Sequence, residues 1–142
     1  MAKYDYVSVQ TVREVCKELG LSDWTQLASG KVSETEAEII RGVVGGEATD
    51  IPLEVFRLGL EVELEHGKRF PDANVTNNHP ILTGRIVLAH LKEGLDYYQR
   101  LAFMELEMEL DAAVKAGDEI RVSETKLKLA KARAALGGVK QC

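Results

Sequence analysis

From Ser8 to Leu19, apolar side chains recur at Val9, Val12, Cys16 and Leu19, the spacing of one helix face, and Gly20 can terminate the helix. Ser22 is placed to cap a short helical turn around Trp24 and Leu27. Ser33-Glu34-Thr35-Glu36 is a capping-box pattern, in which the Ser and Glu oxygens satisfy free amides at a helix start. It predicts a helix through Ile39, Ile40 and Val43 to a break at Gly45-Gly46. Pro52 suits the first turn of the next helix, which the pattern carries to Gly67. Pro71, Asp72, Asn74, Asn77, Asn78, His79 and Pro80 then read as a loop, with His79 exposed or capping. Helical spacing resumes from Ile81 to Glu93, breaks at Gly94, runs from Leu95 to Ala116, and after Gly117-Asp118 runs again from Ser123 to Leu136. No segment sustains the period-two alternation of a strand. The expected fold is all-α, a small helical bundle with short N-terminal helices, a central three-helix segment and a C-terminal amphipathic helix. Residues 1–142 read as a single domain, with an N-terminal region over 1–51, a core over 52–116 and the last helix over 117–142.

Placed at ~100° per residue, the helix after Pro52 has two apolar strips: Leu53, Phe56, Leu60 and Leu64, and Val55, Leu58 and Val62. Arg57, Glu61, Glu65 and Lys68 take the opposite, solvated side. Glu63 and His66 fall in the gap between the strips, where a solvent-facing charge does not belong. In the next helix His90 stands opposite the wet face marked by Arg85 and Lys92, flanked by Thr83, Ile86 and Val87, with Glu93 at the edge of the buried arc. After Leu95 the apolar strip is Tyr97, Leu101, Met104, Met108 and Ala112; Glu105 lies on its flank, on the same side as Tyr98. Three consecutive helices thus offer inward polar groups, and a charge buried alone is expensive, so these must pair, hydrogen-bond or ligate a metal.

Glu63-x-x-His66 has the spacing by which helical carboxylate-bridged sites hold iron or manganese. His90-x-x-Glu93 is the reverse of that order. On a metal reading the ligands are Glu63, His66, His90 and Glu105, for iron, manganese or zinc, with Tyr98 and Glu93 standing behind them. On the plainer reading the same residues form a buried Glu/His/Tyr hydrogen-bond network with no metal. No residue is singled out as catalytic: there is no phosphate loop, no nucleophile motif and no histidine near Cys16 in sequence.

Composition narrows the functions further. The net charge is −5, from 23 acidic and 18 basic residues. The densest basic stretch, Lys126, Lys128, Lys131 and Arg133, follows Glu119 and Glu124 and reads as a solvated helix face, so no nucleic-acid partner is expected. No run approaches the ~20 apolar residues of a membrane span, and the first residues lack a signal-peptide core. Two cysteines, Cys16 and Cys142, read as reduced thiols of a cytoplasmic protein. Asn74-Val75-Thr76 matches a glycosylation sequon, read as chance without an export signal.

Phe56-Arg57-Leu58-Gly59-Leu60-Glu61-Val62-Glu63-Leu64-Glu65-His66-Gly67 resembles the opening of an uncharacterised family of bacteria, archaea and phages, catalogued only as a domain of unknown function. The likeness continues through Asn74-Val75-Thr76-Asn77, Pro80, Leu82-Thr83-Gly84-Arg85-Ile86, Leu88-Ala89-His90-Leu91, Asp96-Tyr97-Tyr98, Arg100-Leu101 and Met104-Glu105. Against it, residues 22–51 look like an insertion, and His79 stands where that family usually has an acidic residue. The resemblance implies a compact helical fold and no established activity. Its phage members add the expectation of a virion component beside the leading one, an acidic helical binding or assembly module. The helices after Leu95, with the Ala-rich Leu127–Leu136 segment, are the expected surface for a protein partner or self-association.

Overall fold

The computed structural model describes residues 7–27 and 29–138; Cys142 and the first residues read above lie outside them. Among the described residues the chain is all-α: α1 (Val9–Leu19), α2 (Glu34–Val44), α3 (Leu53–Arg69), α4 (Pro80–Glu93), α5 (Tyr97–Ala116) and α6 (Glu119–Gly138), with three short 3-10 turns and no strand. Contacts resolve the chain, read from sequence as one domain, into two compact units, Met1–Lys92 and Glu93–Cys142, divided at the Gly94 break.

In the first unit local chemistry sets the ends. The Ser8 hydroxyl accepts from the Thr11 amide at 3.1 Å, and Gly20, at φ 70, closes α1 by donating to the Cys16 and Lys17 carbonyls. The capping box of α2 is half realised. Ser33 accepts from the Glu36 amide at 3.1 Å, but Glu36 turns away to accept from the Trp24 indole at 2.8 Å and from the Ser22 hydroxyl at 3.0 and 3.1 Å. A buried indole N–H needs an acceptor more than an exposed helix start needs a second cap, and Trp24 is fully buried. The turn at Trp24–Gln26 is capped by Asp23, which accepts from the Thr25 amide at 2.9 Å, rather than by Ser22.

Val12, Cys16, Trp24, Ala37, Ile40, Phe56, Leu60, Leu64, Val87 and Leu91 are buried together. Desolvation raises the Cys16 thiol above its ordinary range, as expected of an inert buried cysteine. α4 approaches closely at Gly84, where an added Cβ would lie 2.8 Å from Ile40 Cγ2, 2.9 Å from Val44 Cγ2 and 3.4 Å from Phe56 Cζ.

The supposed solvated side of α3 is largely a clamp. Glu61 accepts from the Val32 amide at 2.8 Å and from Arg57 at 3.1 Å, Arg57 donates to the Val32 carbonyl at 3.2 Å, and Glu54 holds the other end of the guanidinium. The two neighbouring carboxylates hold the Arg57 pKa above its ordinary value. Helical spacing cannot foresee a crossing segment that covers such a face.

The second unit is a hairpin of α5 and α6. Asp118 caps α6, accepting from the Arg121 amide at 3.1 Å, so the helix begins four residues before the expected Ser123 and continues through Gly137-Gly138. On α6 the half-buried or buried positions are Val122, Thr125, Leu129, Ala132 and Leu136, alternating in steps of three and four as in a coiled-coil seam. Phe103, Leu106, Leu110 and Ala113 form the same pattern on α5. The strip expected to be core is displaced from this seam: Met104 is 43% and Met108 61% exposed. Two apolar stripes share α5, and periodicity could not say which one meets α6.

The Gly84 contact separates two otherwise similar substitutions. Gly42, also helical, has nothing within 4 Å of a built Cβ, so Gly42→Ala should stabilise by about 0.5–1 kcal/mol. Gly84→Ala drives a methyl against two stiff β-branched side chains and should destabilise by about 1–3 kcal/mol. Urea unfolding midpoints should therefore move in opposite directions; equal shifts would remove the close approach.

Candidate functional site

Glu63 on α3 lies between two imidazoles. Its Oε1 is 3.9 Å from Nδ1 of His66, one helical turn on, and its Oε2 is 3.5 Å from Nε2 of His90, brought by α4. Of the expected polar groups, Glu63, His66 and His90 therefore converge. The depth differs from expectation. The Glu63 side chain is 15% exposed, but His66 and His90 are 36% and 32% exposed, so both imidazoles sit at a rim that water reaches. The gap between the apolar strips of α3 opens because its second strip is only half covered, with Leu58 46% exposed.

Glu63 and His66 line a cleft of about 310 Å³ within the first unit, while His90 lies outside its lining and reaches Glu63 from the side. One wall is α3 through Glu63, His66 and Gly67, the opposite wall is α4 through Thr83 and Ile86, and the far side is the 70–79 loop with Phe70, Asn74 and Thr76. The loop is held by its own side chains. Asn74 donates to Asn78 at 2.8 Å, the Thr76 hydroxyl donates to Asn74 at 3.3 Å, and Asn78 donates to the Trp24 carbonyl at 3.2 Å. Asn77 and Asn78 take positive φ, 48° and 64°, which Asn tolerates better than most residues. Gly67 lets the amides close on α3: an added Cβ would be 2.8 Å from Asn78 Oδ1 and 2.9 Å from Asn74 Nδ2. The sequence marked this cluster only as a loop. The run of asparagines was the available signal, but its wiring to Trp24, 54 residues away, was invisible.

His79 proves to be a cap. Its Nδ1 accepts from the Ile81 amide at 3.1 Å and the Leu82 amide at 3.3 Å, starting α4. A neutral imidazole here does the acceptor work an acidic side chain would do. Burial, with the nearby Arg85 charge adding to it, pushes its pKa below the ordinary value.

The remaining expected residues belong to the second unit by the division at Glu93. Glu93, expected at the edge of a buried arc, is exposed. Tyr98 and Glu105 are half-buried, and Tyr98 makes an edge-to-face contact with Tyr97 at 5.1 Å between ring centroids. Among the described residues, no group of three or more His, Cys, Asp or Glu side chains is placed to hold a metal ion. The two imidazoles approach different oxygens of one carboxylate.

A family model described as a protein of unknown function (DUF5661) matches residues 12–107. The match includes the whole cleft, Tyr98 and Glu105, and it also includes the 22–51 stretch read as an insertion. No curated protein and no solved structure matches the chain. No helix among the described residues is long and apolar enough to cross a membrane.

The His79 cap generates a pH signature. The unfolded chain binds its proton near the ordinary value of about 6.5, the folded chain only at lower pH, so stability rises with pH across that interval. Lowering the pH from about 7.5 to about 5.5 should thus cost the wild type more stability than His79→Asn, which keeps an acceptor and loses the titration. Parallel urea titrations read the difference, and identical pH slopes would dismiss the cap.

Proposed function

The chain belongs to the DUF5661 family of proteins of unknown function, and on that premise we propose that it is a small binding module whose ligand enters the cleft between α3, the 70–79 loop and α4. The observation that carries this reading is the convergence of unlike groups on one small volume. A carboxylate, an imidazole, two amides and two hydroxyls face Phe70, Val75 and Ile86 across about 310 Å³. That volume is at the lower end of the roughly 300–1,000 Å³ of small-molecule sites, which favours a ligand the size of an amino acid or a side chain.

The lining also suggests the ligand's charge. Among the described residues that line the cleft, Glu63 is the one carboxylate and no Lys or Arg joins it, so the cleft favours a cation with hydrogen-bond donors, such as an amine or a guanidine. Its apolar part would lie on Phe70 and Ile86, and its donors would reach Glu63 and the amide oxygens. A transition metal is the second reading, favoured by the two imidazoles beside Glu63; it requires His66 and His90 to turn toward a common point.

Proton–nitrogen NMR of the full chain, titrated separately with small amines, small guanidines, zinc and manganese, tests both. The proposal expects amines or guanidines at millimolar levels to shift the amides of Asn74 to Asn78 and the His66 ring. It also expects Glu63→Gln to weaken that response about tenfold, the equivalent of about 1.4 kcal/mol. A response to zinc alone would favour the metal reading. Silence of these resonances toward every probe would end the cleft as a binding site.

A further inference from the structure

The hairpin of the second unit carries a groove of its own, about 510 Å³, between α5 and α6. Its floor is Phe103, Leu110, Leu129 and Ala130, and its rims carry opposite charges. The α5 rim carries Glu107 and Asp111; the α6 rim carries Lys126 and Arg133. The rims extend a division of charge between the helices. α5 holds Glu105, Glu107, Glu109 and Asp111 against Arg100 and Lys115, whereas α6 holds five cations, from Arg121 to Arg133, against Glu119 and Glu124. Arg121 pairs with Glu109 at 3.7 Å, and Arg133 lies over the Phe103 ring at 5.5 Å. Glu107, Asp111 and Lys126 make no ion pair among the described residues.

We propose that this groove is closed by the same groove of a second copy, giving an antiparallel four-helix bundle about a two-fold axis. A two-fold axis along the helices lays α5 of one copy over α6 of the other, with every neighbouring pair antiparallel. The acidic rim of each copy then meets the basic rim of its partner, twice, by symmetry. An unrelated partner would need to bring both charge rows in this order; a second copy has them already. The apolar floors meet in the middle and complete a core that two helices alone cannot enclose: among the described residues of α5 and α6, only Ala113 and Thr125 are buried.

Area sets the strength. Twenty-residue helices are about 30 Å long and two side by side about 20 Å across, so the face offers on the order of 600 Å² per copy. Stable dimers bury roughly 800 Å² per partner, so this pairing should be reversible and lost on dilution. Neutralising charge across the rims makes it salt-sensitive as well. The inference is independent of the cleft on the first unit.

Sedimentation velocity of the full chain over a concentration series tests it with two charge-reversed variants. Lys126→Glu/Arg133→Glu makes both rims acidic, and Glu107→Lys/Asp111→Lys makes both basic. The wild type should dimerise, and each variant alone should be monomeric with unchanged helical circular dichroism. The two variants mixed should form a one-to-one dimer, an outcome that simple damage to the hairpin cannot produce. A wild type that stays monomeric at several hundred micromolar would overturn the proposal. So would a dimer that survives both reversals, because association would then use another face, such as the exposed Ile120 and Leu127 stripe.

Discussion

The first unit depends on how closely α4 approaches α2 and α3. A helix can press its backbone against two β-branched side chains only where it lacks a Cβ, and Gly84 supplies that place, with Ile40 and Val44 at less than ordinary contact distance from any added methyl. Six residues on, the same helix sets His90 against Glu63. On either side of Gly84, Thr83 and Ile86 become a wall of the cleft. A wider separation would take His90 away from Glu63 and leave the cleft without its opposite wall.

Gly67 and the asparagine loop provide the second constraint. Asn74 and Asn78 can reach the end of α3 because Gly67 leaves room for their amides. His79 then starts α4 by accepting two of its first amides, so the loop that frames the cleft also sets where its opposite wall begins. Fold and site are continuous here: Asn74, which donates to the Gly67 carbonyl near the end of α3 at 3.5 Å, also lines the cleft.

The helices were legible in the sequence because their punctuation is local. Ser8, Gly20, Ser33 and Gly45 mark ends through bonds spanning a few residues, and α1 to α4 begin and end within about two residues of expectation. The meeting of Glu63, His66 and His90 was legible because an ionisable group between apolar strips has few places to go. What was not legible is non-local. The Arg57–Glu61 clamp depends on Val32 crossing α3, and Glu36 abandons its capping box for an indole twelve residues earlier. On α5 two apolar stripes compete, and only the partner helix decides that Phe103, Leu106 and Leu110 form the seam while Met104 and Met108 stay exposed. Exposure at the His66–His90 rim was also hidden, since periodicity gives a direction but not what lies beyond it.

One contact ties α4 to α3 beside the cleft: the Glu63 carboxylate meets the His90 imidazole at 3.5 Å. A double-mutant cycle with Glu63→Gln, His90→Gln and the pair, read as unfolding free energies, measures it directly. The geometry predicts a coupling between the two sites of about 0.5–3 kcal/mol. Strict additivity of the two substitutions would show that the helices do not bring these side chains together, and the cleft as described would not exist.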